Sequence, residues 1–135
     1  MALNALDFYK KTHPKSLGFE FVQEIILPVL ENYPISVEDK MQTFTEHIAF
    51  QIGEILQTKT GKLLISGGGV YNDFLIDRIK NHLPKTEIII PDEKTIKFKE
   101  ALIFALLGVL KLRNEVNVLA SVTGAKQNHS SGEVF

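Results

Sequence analysis

The chain contains no cysteine in 135 residues. This lack excludes a disulfide framework and thiolate chemistry, and it is consistent with a reducing cytosol. The chain also lacks an excess of charge of either sign, because 15 basic residues stand against 16 acidic ones and the net charge is −1. Such a balance gives no general attraction to nucleic acid or to an anionic membrane.

Long hydrophobic runs are also missing. The longest apolar stretch, Ala101–Leu110, is about half of the roughly 20 residues that a membrane-spanning helix needs. The first residues lack the basic region and the long apolar core of a signal peptide. With 44% hydrophobic and 23% charged residues, the composition is that of a globular protein. We therefore expect a soluble cytoplasmic protein with no membrane or nucleic-acid partner, folded as a single domain over residues 1–135.

Three consecutive glycines, Gly67, Gly68 and Gly69, are the most informative feature of the sequence. They follow an apolar run of strand character, Leu63–Ile65, and precede an amphipathic helix that begins near Asn72. Glycine lacks the Cβ atom that would keep a flat or phosphorylated ligand away from the backbone, and it permits the positive φ of a tight turn. A strand that leads through such a turn into a helix N-terminus is typical of nucleotide binding in α/β proteins. The residues alone leave a purely geometric role equally open.

The hydrophobic pattern predicts an α/β fold with two strands and about five helices, one of them a short helix near the N-terminus. The strands are expected at 62–66 and 87–90, and the longer helices at 18–32, 36–57, 72–81 and 95–113. A strand–helix–strand unit implies that the two strands are parallel. Two strands are few for a sheet, so the domain resembles the second half of a larger fold.

Several details of these elements are also predicted. Pro28 should kink or shorten its helix, because proline lacks the backbone N–H group. Ser36 and Asp39 have the spacing of an N-terminal cap for the next helix. The last long helix carries the apolar block Ala101–Leu110 and should be buried on most sides. The polar segment 114–135 should be an irregular tail at the surface.

Five segments, in this order, give the chain a resemblance to the anhydro-N-acetylmuramic acid kinase family. These enzymes are bacterial sugar kinases of cell-wall recycling with the actin/hexokinase/Hsp70-like superfold. The glycine triplet is common to many kinases of this superfold, whereas five ordered segments that span essentially the whole chain are much more specific. The segments are Pro14-Lys15-Ser16-Leu17-Gly18, Thr43-Phe44-Thr45-Glu46-His47-Ile48-Ala49, Ser66-Gly67-Gly68-Gly69-Val70-Tyr71-Asn72, Lys99-Glu100-Ala101-Leu102-Ile103-Phe104-Ala105 and Ser121-Val122-Thr123-Gly124-Ala125.

The resemblance implies a fold, a reaction and a set of site residues. The fold would be an incomplete ribonuclease-H-like domain of the actin-like ATPase type. The full enzyme would use ATP, with Mg²⁺, to open the 1,6-anhydro ring of anhydro-N-acetylmuramic acid and phosphorylate it. Gly67, Gly68 and Gly69 would line the adenosine part of the ATP site, and Asn72 would cap the helix behind them. Glu100 matches a glutamate of the family and is carried over as a substrate-side carboxylate.

Two motifs of the family are not found in this sequence. They are the phosphate loop, Gly-Thr-Ser-x-Asp-Gly, and the Asp-Thr-Gly-Pro segment that supplies the catalytic base. Phosphoryl transfer depends on positioning and charge stabilisation around the γ-phosphate. We therefore assign no catalytic residue and expect the chain to be the last third of a kinase that does not turn over alone. Its expected partner is the missing N-terminal half or a second copy.

Two other functions remain open at this point. The pattern Gly67-x-Gly69-x-x-Asn72, with Asp92 beyond the next strand, nearly matches an NAD-type dinucleotide fingerprint. Against it, asparagine replaces the third glycine, and such a unit normally opens its domain. The other alternative is a non-catalytic remnant that acts through protein contacts.

The remaining polar residues suggest structural roles. His47 lies on the apolar face of its helix, and a hydrogen-bonded structural histidine is favoured over a catalytic one. Paired carboxylates are one interpretation of Glu46 and Glu100, but solvation at the surface is the default for each. No metal site is expected, because the other histidines are scattered, at His13, His82 and His129.

Overall fold

A computed structural model describes residues 2–12, 15–56 and 60–133. By its contacts the chain divides into two compact units, Met1–Pro91 and Asp92–Phe135, and each is described by itself. The single domain therefore stays a prediction. Pro14, in the first family-like segment, and Gln57, the expected end of a helix, lie outside the described residues.

The first unit begins with helices. A 3-10 turn at Ala2–Ala5 precedes α1, a single turn at Asp7–Lys10. A continuous helical segment follows, made of α2 (Phe19–Phe21), a π-helical stretch (Val22–Ile26) and α3 (Leu27–Glu31). The long helix α4 spans Val37–Leu56.

Pro28 is predicted to kink or shorten its helix. The helix is not shortened, because α3 continues through Pro28 to Glu31. The hydrogen-bond register changes instead: the Leu27 N–H donates to the Val22 carbonyl, five residues back. A π turn shifts the carbonyls that the proline ring would otherwise meet, and so the chain stays helical.

The start of α4 confirms the predicted cap. The Ser36 Oγ accepts a hydrogen bond from the Asp39 N–H at 3.0 Å, and the Ser36 hydroxyl donates to the Asp39 carboxylate at 2.8 Å. The first bond satisfies one of the N–H groups that the first turn of a helix leaves without an acceptor.

The second half of this unit is a strand–helix–strand arrangement. Strand β1 (Gly61–Leu64) leads through a 3-10 turn at Gly68–Tyr71 into α5 (Asp73–His82) and then into β2 (Thr86–Ile89). The two strands are parallel, as predicted, with Leu63 opposite Ile88. The pairing extends one residue beyond β1, because the Ile65 N–H donates to the Ile89 carbonyl at 2.9 Å.

A small hydrophobic cluster fixes α4 and α5 on the strands. Ala49 of α4, Ile79 of α5 and Leu83 are buried, and Leu63 and Ile88 of the strands pack against them. A second buried cluster joins the N-terminal helices and consists of Leu3, Ile26 and Leu30. The strand-turn-helix segment therefore lies on a packed base.

The second unit contains α6 (Glu93–Leu112) and α7 (Ala120–Thr123). The helix α6 begins two residues before its predicted start, because Asp92 caps it by accepting the Thr95 N–H at 3.0 Å. The tail expected to be irregular contains, over its described part, α7 and one antiparallel bridge between Val118 and His129.

The expected burial of α6 is wrong. None of its residues is buried, and Leu102 and Phe104 are 69% and 71% exposed. Within its own unit, the described residues after α6 form only a one-turn helix and a single bridge, which are too small to cover a helix of 20 residues. Over residues 2–12, 15–56 and 60–133, no helix combines the length and the apolar character needed to span a membrane.

Candidate functional site

The glycine turn after β1 has a backbone that depends on glycine at its first position. Gly67 has φ 98° and ψ 179°, a conformation that is open almost only to glycine. It precedes the 3-10 turn, which closes when the Val70 N–H donates to the Gly67 carbonyl at 3.2 Å. The buried side chain of Val70 anchors this turn in the fold.

The next two glycines are open to solvent. Gly68 and Gly69 are exposed, and a Cβ atom built on Gly68 meets no atom within 4 Å. Among the described residues, no acceptor is found for the backbone N–H groups of Gly68 and Gly69. The turn therefore offers bare backbone and free donors at the surface, which is the geometry that close approach of a flat ligand requires.

Asn72 connects the turn to α5. Its side-chain Oδ1 accepts the Leu75 N–H at 3.0 Å, so the cap implied by the family resemblance is present. Its own N–H donates to the Gly69 carbonyl at 3.2 Å. The structure thus brings Gly67, Gly68, Gly69 and Asn72 together as one hydrogen-bonded segment.

Ser66 is a residue that the sequence reasoning did not single out. Its hydroxyl oxygen is buried and finds no hydrogen-bond partner within residues 2–12, 15–56 and 60–133, and Ser66 directly precedes the glycine turn. A buried polar atom without a partner is rare and marks a group that a ligand or a water molecule can satisfy. Nothing in the residue type or spacing indicates it in advance, because its burial depends on the tertiary packing.

His47 is a structural residue, as predicted. It is 1% exposed, its Nδ1 lies 2.7 Å from the Asn4 Oδ1, and its Nε2 lies 2.7 Å from the Tyr9 hydroxyl. Because the Gln51 amide also donates to the Asn4 Oδ1, at 3.3 Å, that oxygen faces the imidazole and Nδ1 carries the proton. Burial lowers the pKa of His47 and holds it in the neutral form.

Glu46 is not a solvated surface residue. It accepts hydrogen bonds from the Nε and Nη2 atoms of Arg78, the latter at 3.1 Å, and lies 2.8 Å from the Nε2 of His82. The Arg78 hydrogen bond, with a smaller contribution from His82, lowers the pKa of the Glu46 carboxyl. Little in the residue pattern indicates this cluster, since Glu46 and Arg78 are 32 residues apart in the chain. Only the four-residue spacing of Arg78 and His82 indicates that the two share a helix face.

Glu100 and the glycine turn belong to different compact units of the chain. It is an exposed residue of α6, in the second compact unit. Over the part of the chain that the structure describes, no group of three or more His, Cys, Asp or Glu side chains is arranged to hold a metal ion.

The fold and the site therefore define an α/β chain with a parallel strand pair and an exposed glycine turn at a capped helix. The family model of anhydro-N-acetylmuramic acid kinase matches residues 1–135. The chain belongs to the anhydro-N-acetylmuramic acid kinase family.

Named relatives give the same result. The chain is 35% identical to the anhydro-N-acetylmuramic acid kinase of Sulfurovum sp. (strain NBC37-1), over 95% of this chain and 36% of the relative. It is 33% identical to the enzyme of the same name from Crocosphaera subtropica, over 94% of this chain and 36% of the relative. With the Aliivibrio fischeri enzyme it shares 28% identity, over 98% of this chain and 38% of the relative. The chain thus spans little more than a third of the length of the curated relatives it matches.

Proposed function

We propose that this chain forms the adenosine-binding wall of an ATP-dependent anhydro-N-acetylmuramic acid kinase of amino-sugar recycling. The observation that carries the proposal is the exposed, side-chain-free turn at Gly68 and Gly69, between β1 and the capped N-terminus of α5. It lies in a chain whose whole length matches the kinase family. In the complete enzyme, β1 and β2 would belong to the larger sheet of a ribonuclease-H-like, actin-like domain.

The electrostatics of the turn favour adenosine over the phosphates. Asp73 is the first residue of α5, so a negative side chain already stands in the helix turn where the dipole would favour a bound phosphate. The Leu75 N–H, a donor that a phosphate would use at this helix end, is already bonded to Asn72. The free donors of Gly68 and Gly69 remain, and these suit a neutral heterocycle or a ribose hydroxyl.

Catalysis is proposed for the complete enzyme alone. Residues that the relatives carry beyond the matched region would bind the γ-phosphate and Mg²⁺ and would supply the catalytic base. The described residues contain no group of three or more His, Cys, Asp or Glu side chains arranged to hold a metal ion. Mg²⁺ in such sites is usually bound through substrate phosphates. We retain Glu100 as a proposed substrate-side carboxylate and a cytoplasmic location as part of the proposal. The proposed partner is the region that the relatives carry beyond the match, or a second copy.

The NAD-type alternative has less support. Its fingerprint would need Asp92 free to bind a ribose, but that carboxylate caps α6 by accepting from the Thr95 N–H and the Thr95 hydroxyl. The position of the third glycine is held by Asn72, whose side chain is engaged in a cap. The other alternative, a non-catalytic remnant, would be favoured if the nucleotide-binding test below detects no binding.

Calorimetry with three ligands tests the proposal. ADP and adenosine should bind the purified chain with similar, weak affinity, and tripolyphosphate should not bind, because one wall of the cleft provides few contacts. Gly68→Ala should fold normally, since its Cβ meets open space, and should lose adenosine binding because the methyl group covers the bare backbone. Binding of tripolyphosphate alone, or no heat with any ligand at millimolar concentration, would contradict the proposal.

A further inference from the structure

The glycine turn and α5 behave as one hydrogen-bonded piece. The Asn72 N–H donates to the Gly69 carbonyl at 3.2 Å, and the Ile76 N–H donates to the Asn72 carbonyl at 3.1 Å. The Asn72 side chain adds the third bond, to the Leu75 N–H at 3.0 Å. Any shift or rotation of α5 therefore moves the free donors of Gly68 and Gly69 with it.

A single carboxylate on α4 holds two side chains of α5. Glu46 accepts from two atoms of the Arg78 guanidinium and also contacts the His82 Nε2 at 2.8 Å. The three side chains, of Glu46, Arg78 and His82, are 26%, 36% and 28% exposed, so the cluster is half-buried. A planar guanidinium fork on a carboxylate fixes direction as well as distance. The contact with His82, one turn further along α5, fixes the helix at a second point.

The helices α4 and α5 pack closely, so the distance between them can change little. A Cβ atom built on Gly53 of α4 would lie 2.8 Å from the Cβ of His82. The ring of Phe50 meets the His82 ring edge-on, with the centroids 5.8 Å apart. Gly53 thus sets the distance between α5 and α4. The bonds to Glu46 set the rotation of α5 and the position of α5 along α4.

We propose that Glu46 is a positioning residue for the glycine turn. By binding Arg78 and His82 it fixes α5 on α4, and it thereby orients the free backbone donors of Gly68 and Gly69 toward a nucleotide without touching it. This inference rests on the proposed function of the turn.

Two variants of the 135-residue chain test the proposal, with ADP as the probe. Glu46→Gln removes the charge and one acceptor, and Arg78→Lys keeps the charge but removes the planar fork. Both should move the amide resonances of Gly68 and Gly69 in the free protein. Both should weaken ADP binding roughly tenfold, a loss of about 1.4 kcal/mol. Glu93→Gln is the matched control, because it removes an exposed carboxylate that pairs with Lys97 at 2.6 Å on α6, and it should leave ADP affinity and glycine resonances unchanged.

The outcomes separate positioning from stability and from the proposed function. If Glu46→Gln lowers the free energy of unfolding but leaves both the glycine resonances and the ADP affinity as in wild type, Glu46 is merely structural and the proposal is overturned. Loss of folding in both variants would have the same meaning. If the wild-type chain binds no ADP, the nucleotide function fails, whereas the glycine resonances of the free protein still decide whether Glu46 positions the turn.

Discussion

The buried imidazole of His47 gives a prediction in which the sign and the size follow from the structure. Its two ring nitrogens bond to Asn4 and Tyr9, side chains of the N-terminal segment, so His47 ties that segment to α4. Replacing it with phenylalanine keeps an aromatic ring beside Tyr9 but removes both hydrogen bonds. Each bond contributes about 0.5–1.5 kcal/mol, so His47→Phe should destabilise the chain by about 1–3 kcal/mol near pH 7.5.

The pH dependence of that difference is the sharper part of the prediction. Burial lowers the pKa of His47 in the folded protein, whereas in the unfolded chain the pKa is about 6.5. The unfolded state therefore binds the proton first, and the stabilisation by neutral His47 is complete above about pH 6.5. As the pH falls below that value, the advantage of wild type over His47→Phe should shrink, by at most about 1.4 kcal/mol per pH unit, until the folded-state pKa is reached.

Urea unfolding followed by circular dichroism, at half-unit steps from pH 7.5 to pH 5, measures both quantities. His129→Phe is the matched control, because His129 is exposed and its replacement should leave the stability near pH 7.5 unchanged. A difference between wild type and His47→Phe that stays constant, or that grows on acidification, would refute the reasoning. The second result would mean that the folded protein favours the imidazolium form.

Three further substitutions test the fold around the site. Gly67→Ala should cost about 1–3 kcal/mol, because its φ of 98° with ψ near 180° is strained for any other residue, and thermal unfolding measures this loss. Ser36→Ala should cost about 1 kcal/mol by removing the cap of α4, with Ser16→Ala, an exposed serine, as control, and an unchanged unfolding temperature would contradict the cap. Gly53→Ala should destabilise by about 1–3 kcal/mol, because the new Cβ would lie 2.8 Å from the His82 Cβ; Gly108→Ala, on the open side of α6, should be neutral or stabilising.

Local signals in the sequence were enough to predict several elements. The Ser36–Asp39 spacing defines the start of α4, and the apolar run before the glycines defines β1, because both signals depend on neighbouring residues only. The parallel pairing of β1 with β2 follows from the helix between them. The cap at Asp92 is equally local, with Thr95 three residues later, and this spacing indicates a helix start two residues before the predicted one.

Tertiary contacts determine the features that a local sequence pattern does not predict. The π turn before Pro28 is one of several ways to keep a proline in a helix, and residue type does not select among them. The hydrogen bonds of Glu46 depend on the close packing of α4 and α5. Gly53 permits this packing, but a glycine in a helix does not by itself predict it. The exposed apolar residues of α6 show a second limit of the sequence pattern. An apolar pattern indicates that a helix face can be buried, but it does not identify the element that would cover it.

The central claim is that the turn at Gly67–Asn72 binds the adenosine part of a nucleotide, and amide resonances test it most directly. In a titration of the ¹⁵N-labelled chain with adenosine, the largest and saturable shifts should fall on Gly68 and Gly69, the exposed glycines of the turn for whose N–H groups the described residues provide no acceptor. The same shifts should be absent in Gly68→Ala. Saturable shifts confined to other parts of the chain, with the glycine resonances unmoved, would contradict the account.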